Sequence, residues 1–217
     1  MTIILASIIT SYIITFLIIP VIISYTKKKN VLDAPDRRKI HKELTPSLGG
    51  IAIFIGFIVS AFIWMSLKGI VQYKFVLVAL SVIFIIGFRD DILPIKPMIK
   101  LIGQIIAASM VIGLSSIKLT SLYGIFGVYE LHPVIGFILS LFTVVVVTNA
   151  FNLIDGLDGL AGTIATISLL FFGIWFYLIE REITTTLIFC MLGSIFAFLN
   201  FNWEPAKIFM GDTGALV

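Results

Sequence analysis

Long apolar runs separated by short polar stretches dominate the chain. They cover roughly residues 3–25, 49–67, 75–88, 98–114, 134–151, 160–179 and 184–200. A membrane span takes about 20 apolar residues at a rise of 1.5 Å each, so seven runs need about 140 residues. What is left suffices for short loops. The pattern predicts an all-α fold: a polytopic helical membrane protein with about seven transmembrane helices and one domain over 1–217. The third and fourth runs are short for a span and require a thin local bilayer or helical extension into the interface. In the first run the basic cluster Lys27-Lys28-Lys29 follows the apolar stretch, so it reads as a retained helix rather than a cleaved signal. The mixed segment 115–133 predicts a short interfacial hairpin.

Composition agrees with this pattern and narrows it. Hydrophobic residues make up 59% of the 217 positions and charged residues only 12%, and the mean hydropathy is +1.15. These values exclude a soluble globular enzyme, a disordered chain and a coiled coil. A net charge of +3 is too small to point to a nucleic-acid partner. The lone Cys190 excludes an intrachain disulfide and a cysteine-based zinc cluster.

The charges are unevenly distributed. With seven spans, Lys27, Lys28, Lys29, Arg37, Arg38, Lys39, Lys42, Arg89, Lys96, Lys100 and Lys207 fall on one side, and Lys68, Lys74, Lys118 and Arg181 on the other. The excess of basic residues marks the cytoplasmic side and puts the N-terminus outside. The seven aspartates (Asp33, Asp36, Asp90, Asp91, Asp155, Asp158 and Asp212) share the basic side. Carboxylates contribute little to orientation, so this bias predicts a site that needs them.

Four polar blocks carry the candidate chemistry. In Arg89-Asp90-Asp91, two adjacent carboxylates repel, which raises one pKa and leaves a proton acceptor beside a lasting anion. Lys100 lies nine residues after Asp91 and can hold phosphate as a point charge. A plain alternative has the acids cap the fourth helix, with Pro94 and Pro97 starting it. The second block is Asn149, Asn152, Asp155 and Asp158 with Gly156, Gly159 and Gly162. On a continuous helix Asn152, Asp155 and Asp158 would share one face about 120° wide, and the glycines would admit a ligand or a neighbouring backbone. No base lies in that segment, so a cation or a donor-rich ligand is expected. The third block, Asn200 to Gly214, contains Phe209 and Gly211-Asp212-Thr213-Gly214. It offers backbone N–H groups to phosphate, a carboxylate to Mg²⁺ and an aromatic ring to a base. The fourth runs from Asp33 to Gly50 and packs Arg37, Arg38, Lys39, His41 and Lys42 together. It is partly the positive anchor of the first two helices and also reads as an anion site, with Gly49-Gly50 letting phosphate reach a helix N-terminus. His132, before Pro133, reads as incidental. One-sided acids, amides, glycines and bases suit Mg²⁺-assisted phosphoryl transfer between a soluble donor and a lipid acceptor.

From about residue 30 onward, these four blocks in this order resemble the polyprenyl-phosphate N-acetylhexosamine-1-phosphate transferases, and Asp33-Ala-Pro35 with Arg38-Lys39-Ile-His41 looks like the N-acetylglucosamine-type branch. The resemblance implies transfer of sugar 1-phosphate from a UDP-N-acetylhexosamine, foremost UDP-N-acetylglucosamine, to polyprenyl (undecaprenyl) phosphate, releasing UMP. It further implies Mg²⁺, with Mn²⁺ as a substitute, in the bacterial cytoplasmic membrane with the site facing the cytoplasm. It makes Asp212 and Asn152 the metal ligands and Asp90 the base, with Asp91 assisting. Asp155 and Asp158 would line the nucleotide pocket, Phe209 would stack on uracil, and Lys100 would pair with phosphate. Arg38, Lys39, His41, Asn149 and Gly211 complete the substrate contacts it implies. One-step and covalent routes both stay open, and so does the oligomeric state, a homodimer included.

Relatives of this kind continue through further helices and a loop with a His-x-His-His-like cluster that nothing here matches. The expectation is therefore the N-terminal part of a larger enzyme. A non-catalytic membrane subunit that binds lipid phosphate or partner helices is the alternative. A transporter ranks last, because the acids gather at one face and no repeat is visible.

Overall fold

A computed structural model describes residues 2–29, 45–115 and 117–217. These residues fold into α1 (Thr2–Lys29), α2 (Gly49–Trp64), α3 (Leu67–Ile92), α4 (Pro97–Leu114), α5 (Pro133–Ile154), α6 (Leu160–Leu178), α7 (Glu182–Asn202) and the five-residue α8 (Gly211–Ala215). All but α2 and α8 are long and apolar enough to cross a membrane, so the chain is a polytopic helical membrane protein. The expected seven runs are all helical, with two differences in length. The second ends at Trp64, and its 16 residues span only about 24 Å, short of the ~30 Å hydrocarbon core. The third, expected over 75–88, extends to 26 residues. Met65 turns extended and ends α2, and Ser66 starts α3, its Oγ accepting the Gly69 N–H at 3.2 Å. The far end of α3 runs through Arg89-Asp90-Asp91, so both acids lie in its last turn.

The helix starts follow from local chemistry. Pro97 opens α4, where a missing N–H costs nothing. Lys96, not an aspartate, is the residue before it, so the alternative in which an acid caps α4 does not hold. Pro133 opens α5, and the His132 ring nitrogen accepts the Val134 N–H at 3.4 Å. The 120–131 segment is a small hairpin, bridged at Ser121 and Glu130.

The packing has a centre and a wedge. Most of α7 is buried by its neighbours, whereas the other spanning helices leave most of their residues uncovered. α1, α2 and α6 surround it. Lipid tails are as apolar as leucine, so small residues and hydrogen bonds must hold these helices together. Ser7, Ser11 and Thr15 form a fully buried stripe on α1. It lies against Gly56 and Gly193, where a Cβ would come within 2.0 Å of Thr15 Oγ1 and 2.1 Å of Ser11 Oγ respectively. Ser60 Oγ donates to the Ser7 carbonyl at 2.9 Å, and Thr15 Oγ1 to that of Ala52 at 3.2 Å. A second group, α3, α4 and α5, packs in sequence order, and α8 wedges between α2, α3 and α5. A Cβ on Gly50 would fall 2.1 Å from Gly214 N, and one on Gly87 would fall 2.7 Å from Asp212 O, so α8 lies backbone to backbone on both helices.

Candidate active site

The ends of α3, α5 and α7 and the starts of α2, α4 and α6 meet at one end of the bundle. There α8 brings together residues distant in sequence. Lys100 Nζ, on the first turn of α4, is 2.7 Å from Asp212 Oδ1 and 3.3 Å from Asp90 Oδ2. Asn152 Nδ2, on the last turn of α5, donates to the same Asp212 oxygen. Asp90 also accepts the Ile95 N–H at 2.7 Å, which fixes the α3–α4 turn. These four side chains form a half-buried ionic centre: those of Lys100 and Asp90 are 14% and 11% exposed, and that of Asp212 is 26%. Burial pushes the Asp212 carboxyl up. Hydrogen bonds with Asp90 and Lys100, and the Lys100 charge, outweigh burial and hold it below its ordinary value.

Other acids face backbone instead. Asp91 Oδ1 accepts the Asp212 N–H at 2.8 Å, and Oδ2 accepts the Thr213 N–H at 3.0 Å and the Thr213 hydroxyl. Asp155 Oδ2 accepts the Gly211 N–H at 3.0 Å, and Asp158 Oδ2 the Ala206 N–H at 2.9 Å. Three expectations change as a result. The N–H groups of Gly211, Asp212 and Thr213, foreseen as a phosphate cradle, are held by the chain's own carboxylates. Asn152, Asp155 and Asp158 do not share a helical face, because α5 ends at Ile154 and the turn closes at Gly159 with φ +69°. The three side chains fan out to separate targets. Gly49 and Gly50 do not offer their N–H groups to phosphate, since these donate to the Phe209 and Met210 carbonyls at 2.9 and 2.8 Å. A helix N-terminus needs acceptors, and here the 209–210 backbone supplies them. That contact places Phe209 at the start of α2, half-buried.

Asn149 lies one turn below Asn152 and pairs with Gln104. Its Nδ2 donates to Gln104 Oε1 at 2.7 Å, and Gln104 Nε2 donates back at 3.5 Å. Gln104 is itself one turn from Lys100, so the amide pair sets the register of the two helices that carry Lys100 and Asn152. Substituting leucine for either amide is expected to destabilise the protein, and the double substitution to cost less than the two singles combined. The coupling should be about 0.6–1.7 kcal/mol, read from unfolding in mixed micelles.

Three further side chains complete the assembly: Gln104, which sequence reasoning missed, and Thr213 and Asn202, which lie in the third block but had no individual role assigned from sequence. Buried Asn202 accepts the Gly159 N–H at 3.1 Å and donates to the Ile208 carbonyl at 2.9 Å, tying the α5–α6 turn to the 203–208 loop. A lone amide four residues after Lys100 in an apolar helix was the available signal for Gln104. The expected contacts of Arg38, Lys39 and His41 lie outside the described residues.

A magnesium ion fits the donor set of the ionic centre. It takes oxygen ligands, usually one or two carboxylates completed by water and phosphate. Asp212, the neighbouring Asp90 and the amide oxygen of Asn152 are of that type. Among the described residues no group of three or more His, Cys, Asp or Glu side chains forms a metal cage, so substrate and water would supply the rest.

The sequence profile of glycosyl transferase family 4 matches residues 73–217, which include Asp90, Lys100, Asn152 and Asp212. The chain belongs to that family. It is 34% identical to a phospho-N-acetylmuramoyl-pentapeptide-transferase of Thermotoga neapolitana over 221 aligned positions, covering 95% of this chain and 69% of the relative. It is 30% identical to a probable undecaprenyl-phosphate N-acetylglucosaminyl 1-phosphate transferase of Bacillus subtilis, over 98% of this chain and 59% of the relative. It is 33% identical to a phospho-N-acetylmuramoyl-pentapeptide-transferase of a Wolbachia from Brugia malayi, over 95% of this chain and 69% of the relative.

Proposed function

We propose that the protein transfers an N-acetylhexosamine 1-phosphate from a UDP-sugar to polyprenyl (undecaprenyl) phosphate in the bacterial cytoplasmic membrane, with its polar end facing the cytoplasm. The observation that carries this reading is Lys100 held between Asp90 and Asp212, with Asn152 on Asp212, at one end of an apolar bundle. The excess of basic residues at that end supports the orientation.

An oxygen of the lipid phosphate attacks the sugar-bearing phosphorus of the UDP-sugar. The bond from that phosphorus to the bridging oxygen breaks, and UMP departs with the bridging oxygen. One phosphoanhydride replaces another, so the step is near balance and catalysis comes from positioning and charge neutralisation. Asp90 takes the proton from the lipid phosphate. Lys100 is close enough to both acids to turn from them to an incoming phosphate. Asp212 and Asn152 would hold Mg²⁺, which when bound would supply positive charge against the phosphate oxygens.

The relatives' names favour muramoyl-pentapeptide transfer, with N-acetylglucosaminyl transfer named in the Bacillus subtilis relative. The Asp33–His41 block favours N-acetylglucosamine as the donor sugar. The test uses the full-length gene product in membranes with polyprenyl phosphate and Mg²⁺, offered UDP-N-acetylglucosamine or UDP-N-acetylmuramoyl-pentapeptide. Lipid-dependent UMP release from the first and not the second is expected. Release from the second alone moves the assignment to the peptidoglycan branch. Binding of lipid phosphate without turnover on either donor favours a non-catalytic subunit.

A further inference from the structure

The two adjacent acids at the end of α3 have separate partners. Successive helical residues point about 100° apart. Asp90 therefore faces α4 and Lys100, while Asp91 faces α8. Asp91 meets three donors of α8: the N–H groups of Asp212 and Thr213 and the Thr213 hydroxyl. A carboxylate has about four lone-pair sites, so three of these bonds leave little capacity for a metal or a substrate. The docking is close as well as polar. Gly87, one turn before Asp91, leaves room for the Thr213 backbone, since a Cβ there would lie 2.7 Å from Thr213 Cα. From the opposite side Asp155 holds the Gly211 N–H at 3.0 Å. The first three N–H groups of α8 are thus held by carboxylates from α3 and from the end of α5. With its backbone fixed in this way, Asp212 directs its carboxylate at Lys100 and Asn152.

We propose that Asp91 is a positioning residue that acts through Asp212: by gripping the α8 backbone it sets the carboxylate that binds the metal, and it touches neither metal nor substrate. The inference rests on the reading of Asp212 as a metal ligand. Asp91→Asn keeps the shape but turns an NH₂ group toward N–H and O–H donors, so the grip fails on one side. Thr213→Val removes only the hydroxyl donor.

The experiment measures Mn²⁺ binding by electron paramagnetic resonance, with no substrate present, in the full-length protein in nanodiscs, alongside steady-state kinetics at varied Mg²⁺. Outer-shell partners of metal ligands typically contribute 10–100-fold to metal affinity. D91N should weaken Mn²⁺ binding by about that factor. Its kcat should fall at limiting Mg²⁺ and recover in part at high Mg²⁺, with KM for both substrates little changed. T213V should shift Mn²⁺ affinity the same way by about 3-fold, the equivalent of half a kilocalorie or more for one lost hydrogen bond. If D91N binds Mn²⁺ as tightly as the unaltered protein yet loses turnover at every Mg²⁺ concentration, Asp91 acts on the reacting groups and the proposal is overturned. Should D91N fail to fold, T213V decides, and unchanged Mn²⁺ affinity there also overturns it. Unchanged Mn²⁺ affinity in Asp212→Asn would instead sink the metal-ligand reading on which the inference stands.

Discussion

Gly211→Ala should leave little folded protein in the membrane. Gly211 has φ +73°, a left-handed conformation that strains any residue with a Cβ. Space is the larger problem. A Cβ there would lie 1.9 Å from the Ser47 carbonyl oxygen and 2.8 and 2.9 Å from the two Asp91 carboxylate oxygens. Ser47 O is backbone just before α2, and Asp91 is pinned by α8, so neither can yield without undocking α8. That short helix joins α2, α3 and α5, and its release would also break the Gly49–Phe209 and Gly50–Met210 hydrogen bonds. The expected cost is above ~4 kcal/mol, in the tail reached by overpacking and special backbone geometry. Gly156→Ala is the matched control, because no atom lies within 4 Å of a Cβ there. It should change stability by less than about 1 kcal/mol. Yield of monodisperse protein and unfolding in mixed micelles measure both. Equal behaviour of the two variants would contradict the docking of α8.

Asp212→Ala should abolish transfer while leaving most of the fold intact. It removes the 2.7 Å contact to Lys100 and the acceptor of Asn152. Asp90 remains 3.3 Å from Lys100, so the ammonium keeps a partner and the full penalty of an orphaned buried charge, about 3–5 kcal/mol, is avoided. The backbone N–H of residue 212 still reaches Asp91, because that bond does not involve the side chain. Loss of one preorganised group in a phosphoryl-transfer site costs about 10²–10³-fold, and loss of a metal ligand should reach at least that. The measurement is UMP release, paired with an unfolding curve close to that of the unaltered protein. Transfer within 3-fold of normal would remove Asp212 from the chemistry, about 0.65 kcal/mol being too little for such a role.

The depressed Asp212 titration has a definite sign. A carboxyl held below its ordinary value of 3.8 contributes stability that is fully present above that value. That contribution fades only as the pH falls through the lower folded value. A decline in stability between about pH 5 and 7 must therefore come from groups other than Asp212.

Much of the molecule was legible in the chain. Apolar runs marked every long helix, because a bilayer leaves the backbone few alternatives to a helix. Asp90, Lys100, Asn152 and Asp212 stood out as polar groups at the ends of apolar runs, and these four meet. Less legible was the use of each carboxylate. Asp90 and Asp91 are neighbours in the chain, yet one faces an ammonium and the other a helix backbone. Asp155 and Asp158 looked like ligands on one face, but the turn after Ile154 sends them to Gly211 and Ala206. Periodicity describes a helix only while the helix lasts: α5 ends at Ile154, and the turn that follows closes at left-handed Gly159, where α6 begins.

The sequence by itself determined the class of fold and marked the ends of the apolar runs as the places where the polar residues gather. Both depend on composition and spacing along one dimension, and the cost of polar groups in hydrocarbon is felt locally. Only the tertiary structure decided which acids form the ionic centre and which hold backbone. That division depends on α8, five residues with no apolar period of their own. Its place is set by close approaches at Gly50, Gly87 and Gly211 and by carboxylates reaching it from α3 and from the end of α5. Hydrogen bonds between residues more than a hundred positions apart are properties of packing, and no local pattern in the chain encodes them.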